Sequence, residues 1–296
     1  MSESCDLNGV YQFHGDTFEV TPTVKADFDK YGYIIIRNLL DVEEVDKVIK
    51  EFEDPSTAEL LNNNKVKVSD CQGREAKMTI WGHPGNDVSG MISRSEKVAG
   101  TCEQLLGDEV YHYHGKLVTK EPFTGGAHLW HQDYGYWYIN EILEPNMMTV
   151  FIALDKCEKR NGCLQIIESS HKCGRLDHKL EGQLTVTDPT RLDKIMDRFS
   201  MKYCLLNPGD ALFFHCNLLH CSGQNSSAYR RWALLTVYNT VSNQSCKPHH
   251  HPQYIRLEKV PNTAIKSCDK FTDFTDKRIL VPKTFDSKQV IPKTPA

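Results

Sequence analysis

Trp130-His131-Gln132-Asp133-Tyr134-Gly135-Tyr136-Trp137 is the stretch around which the rest of the chain is organised. It sets an imidazole and a carboxylate two residues apart. On a β-strand, residues i and i+2 project from the same face, so His131 Nε2 and an Asp133 oxygen would share one cation. Two ligands do not close a site, and a third must come from elsewhere. The best candidate is His220, in Phe213-Phe214-His215-Cys216-Asn217-Leu218-Leu219-His220-Cys221-Ser222. Two imidazoles and one carboxylate on one side of an ion leave the opposite positions open, the facial arrangement of non-haem Fe(II) sites. Further along stands Arg231, a planar fixed cation suited to a carboxylate.

An isolated H-x-D is usually a solvated pair or a His oriented by a carboxylate. Here it is followed in order by an Asn161-Gly162 hairpin signal, an Asn207-Pro208-Gly209-Asp210 turn leading into a strand, and His220 with Arg231. A rival zinc site built on His215-Cys216 and His220-Cys221 fails on spacing. The two His lie on opposite faces of a regular strand, and no C-x-x-C supplies thiolates. His215 reads as a core histidine, and His249-His250-His251, among prolines, as a solvated loop. Arg230 competes with Arg231. Alternation from Arg231 through Ala233, Leu235 and Val237 gives an inward face, whereas Arg230 ends a polar turn.

Composition bounds the function classes. The 296 residues are 40% hydrophobic and 25% charged, those of a soluble globular protein. The balance of 35 basic against 39 acidic residues gives no footprint for nucleic acid or a membrane surface. The start has no signal-peptide pattern, and no apolar run is long enough to span a bilayer. Eleven scattered cysteines indicate free thiols in a reducing compartment, with the cytoplasm as the default location. The oligomeric state is left open.

The pattern along the chain predicts one catalytic domain over residues 1–296: a helical part at 21–107, a strand-rich core at 109–240 and an irregular tail at 246–296. Thr21-Pro22 opens a helix that Gly32 ends, and Tyr33-Ile34-Ile35-Ile36 reads as a buried strand. Asp41 and Glu44 are spaced as a capping box before the apolar stripe Val42, Val45, Val48, Ile49 and Phe52. Residues 54–90 have no assignable pattern. Ser93 to Leu106 reads as one helix ended by Gly107. Strands follow at Val110–Val118, Met147–Leu154, Cys163–Ile167, Tyr203–Leu206, Ala211–Phe214 and Arg231–Asn239, with a helix after Asp188-Pro189. The tail, with prolines at 248, 252, 261, 282, 292 and 295, is expected to wrap the surface or be partly disordered. The fold class is mainly β with peripheral helices: a double-stranded β-helix, the cupin-like jelly roll.

From about Asp27 to Asn239 the chain resembles the phytanoyl-CoA dioxygenase family of Fe(II)/2-oxoglutarate oxygenases. Phe123-Thr124-Gly125 followed by Trp130-His131-Gln132-Asp133-Tyr134 and Trp137 resembles the ectoine hydroxylase signature. Asn161-Gly162-Cys163-Leu164, Ser170-His171-Lys172, and His220 with Ser222 and Arg231 match the broader family. The resemblance implies Fe(II) held by His131, Asp133 and His220. It implies 2-oxoglutarate and O2 as cosubstrates, with Arg231 on the distal carboxylate helped by Ser222. Lys120 falls where the family has a Lys-Pro pair, here with Glu121 in place of Pro, and Phe151 falls on the strand flanking the cosubstrate. Trp137 is the leading substrate residue, with Tyr134, Lys116 and His114 as further candidates. His114 and Val118 stand where ectoine hydroxylases have Gln and Asn, which points away from ectoine itself.

The chemistry so implied needs no protein general base, and none beyond the metal ligands is assigned a catalytic role. A small amino-acid-like substrate is expected, with free L-proline to trans-4-hydroxy-L-proline as the specific case and Lys116 or Arg230 on its carboxylate. A fatty acyl-CoA 2-hydroxylase is the enzymatic alternative; it would favour a basic entrance and a peroxisomal address. A non-catalytic jelly-roll binding protein is the third reading, which the intact triad and Arg231 oppose.

Overall fold

The computed structural model describes residues 7–181, 184–271 and 277–280. Val10–Gln12 (β1) runs parallel to Tyr33–Arg37 (β2) and adds an edge to the main sheet. Between them, Pro22–Tyr31 (α1) begins where the Thr21 hydroxyl accepts from Val24 N–H and ends at Gly32, φ 81°. Residues 33–36 are wholly buried, as a strand covered on both faces requires. Val42–Glu53 (α2) carries the capping box in full: Glu44 N–H donates to Asp41, and Asp41 N–H to Glu44.

The unassigned stretch 54–90 contains Pro55–Asn63 (α3), Val66–Ser69 (β3), Glu75–Trp81 (β4) and the start of Val88–Arg94 (α4). Next to α4 the structure departs from expectation. The helix predicted from Ser93 to Leu106 is broken at Ser95, which is extended at ψ 150°. A π-helical turn follows at Glu96–Gly100, then Thr101–Leu106 (α5). The break has a partner: Glu96 N–H donates to Val260 O, and Val260 N–H to Arg94 O. A distant segment therefore takes up backbone groups that a continuous helix would have bonded internally.

The remaining elements are Val110–Lys120 (β5), His128–His131 (β6), Asp133–Trp137 (α6), Met147–Ala153 (β7), Leu164–Ile167 (β8), His178–Glu181 (β9), Leu184–Thr187 (β10), Pro189–Met196 (α7), Met201–Tyr203 (β11), Ala211–His215 (β12), His220–Ser222 (β13), Arg231–Thr240 (β14) and Thr263–Ser267 (α8). They form a large sheet in the order β1-β2-β12-β7-β14-β5-β4-β3 and a small one in the order β11-β8-β13-β6, with β9 and β10 paired separately. This is the double-stranded β-helix. β7 shows how it is buried. Met148, Val150 and Ile152 pack with helical residues such as Val48 and Val98, while Phe151 and Ala153 face Leu164 and Ile166 of the small sheet.

The Asn161-Gly162 pair is not a two-residue hairpin. Lys159–Asn161 is a 3-10 turn closed by Gly162 at φ 75°, and it carries the chain from β7 in one sheet to β8 in the other. The Asn161 side chain stabilises that turn by accepting from Glu158 N–H and donating to Lys156 O. Among its described residues the tail has one short helix, α8, and its early part is tied down. Cys246 N–H donates to Glu141 O, and the Tyr254 ring stands edge-on to Tyr111 at 5.6 Å. Prolines 282, 292 and 295 lie outside the described residues. Among the described residues no helix is long and apolar enough to cross a membrane, and all ten cysteines are free.

Candidate functional site

β6 and β13 are antiparallel neighbours in which His131 lies directly opposite His220. Their ring centroids are 4.2 Å apart. His131 Nε2 is 3.8 Å and His220 Nε2 3.9 Å from Asp133 Oδ1. All three donor atoms lie within 4.8 Å of one another, the one group among the described residues able to hold a metal ion. An ion with bonds of about 2.1 Å draws facial donors to roughly 3 Å from each other, within reach of small side-chain rotations here. The His215–Cys216–Cys221 zinc arrangement does not assemble. His215 Nδ1 accepts from Asn217 N–H, and its ring packs against Phe28 and His171.

Hydrogen bonds set the protonation of the set. His131 Nδ1 is 2.7 Å from Leu129 O, and His220 Nδ1 is 2.9 Å from Leu218 O. A carbonyl only accepts, so Nδ1 carries the proton in both rings and the Nε2 lone pairs face Asp133. Burial, then the neighbouring His220, pushes His131 down to about 3. Burial would raise Asp133, but His220, Lys116, His131 and the Tyr136 hydroxyl outweigh it and hold the carboxyl at about 2. The donor set at neutral pH is thus two neutral imidazoles and one carboxylate, a fit for a divalent cation. Tyr136 Oη donates to Asp133 Oδ1 at 2.7 Å, and Thr149 Oγ1 of β7 donates to Oδ2 at 2.8 Å, so the carboxylate cannot rotate freely.

The strand expected to carry both His131 and Asp133 ends between them: β6 stops at His131, and Asp133 opens α6. Gln132 makes the corner. Its side chain, fully buried, donates to Gly174 O and Asn217 O at 2.8 Å and accepts from Leu176 N–H at 2.7 Å. Its own N–H donates to His178 Nε2. Sequence reading treats Gln132 as the variable position of H-x-D and misses this. Gln132→Leu leaves two buried backbone groups unpaired, Asn217 O and Leu176 N–H, at about 1–3 kcal/mol each, and also frees Gly174 O, whose residue is exposed. Urea denaturation is expected to show a loss of more than about 2 kcal/mol; an unchanged midpoint would contradict this account.

Arg231 opens β14 opposite Lys120 of β5. It is 1% exposed, its Nε and Nη1 have no hydrogen-bond partner, and its guanidinium lies 5.6 Å from the Phe151 ring. Arg230 is spent elsewhere, in ion pairs with Glu53 and Asp155. The buried Lys120 ammonium donates to the carbonyls of Gly126 and Gly223 and so fastens the loop before β6. Ser222 is buried, with its hydroxyl 3.5 Å from His128 Nδ1. His128 is absent from the sequence-based set. A β-bulge between His131 and His128 lets both approach β13, although three residues apart they would face opposite ways on a regular strand. Burial holds His128 well below the usual imidazole range, and Lys120, His131 and Arg231 add to that.

On the other side of the metal set stands an aromatic wall. The Tyr136 ring stacks over His131, and Trp137, 1% exposed, meets Tyr136, Tyr113 and His114 edge-on at 5.6–5.8 Å. Tyr113 and His114 both reach Trp137 because β5 has a bulge opposite Val237–Tyr238. Tyr134 is buried and donates to Ile142 O, so its hydroxyl is already committed. Among the described residues Lys116 makes no side-chain hydrogen bond or ion pair, and its charge acts on Asp133, His220 and His114. Along the inner side of β5, then, His114, Lys116, Val118 and Lys120 succeed one another from the aromatic wall to Arg231.

Residues 28–233 match the sequence profile of the phytanoyl-CoA dioxygenase family. Among curated proteins, an ectoine dioxygenase of Streptomyces coelicolor is 28% identical over 238 residues, covering 76% of this chain and 79% of that protein. The L-proline trans-4-hydroxylase of Streptomyces griseoviridis is 26% identical over 254 residues, covering 80% of this chain and 93% of that protein. Among solved structures, EctD from S. alaskensis with 2-oxoglutarate and 5-hydroxyectoine superposes with a TM-score of 0.67 at 25% identity. The match covers 82% of this chain and 88% of that one.

Proposed function

The chain belongs to the phytanoyl-CoA dioxygenase family, and from that premise we propose that it hydroxylates free L-proline to trans-4-hydroxy-L-proline. It is an Fe(II)- and 2-oxoglutarate-dependent dioxygenase, using O2 and acting on a small substrate. The iron with 2-oxoglutarate and O2 supplies the oxidant that hydroxylates a C–H bond, with release of succinate and CO2. The protein holds, orients and shields. His131, Asp133 and His220 hold the metal, with Tyr136 and Thr149 fixing the carboxylate. Arg231 receives the distal carboxylate of 2-oxoglutarate, with Ser222 beside it and Phe151 flanking it. Lys120 shapes this end by pinning Gly126 and Gly223. No side chain is required as a general base.

The observation that carries the substrate reading is Lys116: an uncommitted ammonium between the metal set and the wall of Trp137, Tyr113 and His114. A carboxylate pairs with Lys116, while the pyrrolidinium ring lies against the indole through a cation–π contact of about 0.5–2 kcal/mol. A free imino acid offers both charges within a few ångströms. The proline hydroxylase relative supports this choice, and the free thiols support a cytoplasmic setting. The test is succinate release with Fe(II), 2-oxoglutarate and a panel of free amino acids, ectoine and acyl-CoAs. L-Proline is expected to drive succinate and hydroxyproline formation in equal amounts. Turnover of ectoine or an acyl-CoA with L-proline silent would overturn the substrate and leave the enzyme class standing.

A further inference from the structure

The tail carries His249-His250-His251 over the outer end of the aromatic wall. It is fastened on both sides of that point, by Cys246 to Glu141 and by Val260 to the break at Ser95. His251 is laid flat on the wall, stacked on His114 at 5.0 Å and 24°, and 4.4 Å from the Tyr113 ring. His114 Nδ1, His251 Nδ1 and His249 Nε2 are buried, and none has a hydrogen-bond partner. His114 itself is only 4% exposed. Buried polar atoms are normally paired, and three unpaired nitrogens in one place call for a ligand that the protein does not supply itself. These nitrogens do not gather as closely as the donors of the metal set, which sets them apart from a second metal centre. Burial keeps His114 and His251 well below the usual imidazole range, so both are neutral and able to donate or accept.

We propose that His251, reaching in from the C-terminal segment, determines substrate specificity by hydrogen-bonding the polar group of the substrate together with His114. The inference rests on the reading of this pocket as one for a small amino-acid-like molecule, and it adds the tail to that pocket. Lys116 acts on both rings, so one substrate head group meets an ammonium and two neutral imidazoles. His250, exposed at the same turn, serves as the control position.

The experiment compares wild type, His251→Phe, His251→Gln and His250→Ala. Measured are KM and kcat for the compound that wild type turns over, KM for 2-oxoglutarate, substrate-free succinate release and Tm. His251→Phe keeps the ring stack and removes the nitrogens. It is expected to raise substrate KM at least tenfold, with 2-oxoglutarate KM and substrate-free succinate release within twofold of wild type. His251→Gln, which keeps a hydrogen-bonding group, is expected to restore most of the loss, and it carries the test if the Phe variant is poorly folded. A substrate KM within twofold of wild type in the Phe variant, or an equal change in His250→Ala, overturns the proposal. If wild type acts on an acyl-CoA, the amino-acid reading falls, and the same comparison on that thioester still decides the part played by His251.

Discussion

Asp133→Ala is expected to give a folded protein that retains no iron and releases succinate at less than about one-thousandth of the wild-type rate, a loss of about 4 kcal/mol or more. The size of the effect follows from the donor set. Both imidazoles are neutral, their Nδ1 protons engaged by Leu129 O and Leu218 O, so Asp133 is the one anion of the donor set among the described residues. Without it, two neutral rings on adjacent strands compete with water for a hard divalent cation. Thr149 and Tyr136 would also lose their acceptor, but each hydroxyl can reorient. Metal analysis after dialysis, circular dichroism and succinate release would check this together. A variant holding one equivalent of iron with a tenth of the activity would remove Asp133 from the site. Chelation of the wild type should silence it likewise, with recovery on adding Fe(II).

The second large effect is expected at Arg231. Arg231→Met should raise KM for 2-oxoglutarate at least a hundredfold while leaving Tm unchanged or higher. The two halves have one cause. A guanidinium that is 1% exposed with two unpartnered nitrogens is a burden on the folded chain, because among the described residues no ion pair offsets its desolvation, Asp155 acting on it only from a distance. Met has similar length and no charge, so it packs against Phe151 without that burden. On the proposed role of Arg231 the same guanidinium would meet the cosubstrate's carboxylate, and losing one partner of a buried pair costs about 3–5 kcal/mol, a hundredfold or more. Lysine cannot substitute, since it lacks the planar fork. A KM shift below threefold, or a marked fall in Tm, would mean that Arg231 serves the fold instead.

What the sequence makes legible is what depends on near neighbours or on donor chemistry. Thr21-Pro22, the Asp41/Glu44 box and Gly32 act within four residues of themselves, and the helices begin and end accordingly. The metal donors are identifiable because few side chains suit iron. Their backbone geometry is not legible, because the corner at Gln132 depends on Gly174, Leu176 and Asn217, all more than forty residues away. β4 escapes notice since its exposed and buried positions do not strictly alternate, and β3, though it alternates, is only four residues long. The break at Ser95 depends on Val260. Prolines in the tail announce irregular backbone but not its burial, so His251 reads as a solvated residue when it covers His114.

The inner row of β5 also acts as a gauge. From His114 to Lys120 is six residues, about 20 Å of extended backbone. Under the proposed function, a five-carbon keto acid and one amino acid would lie along that row. The pantetheine arm of a coenzyme A thioester would have to thread out past the imidazole on the roof. Under the proposed function, length would join charge as a filter, with the substrate ending about where His114 begins.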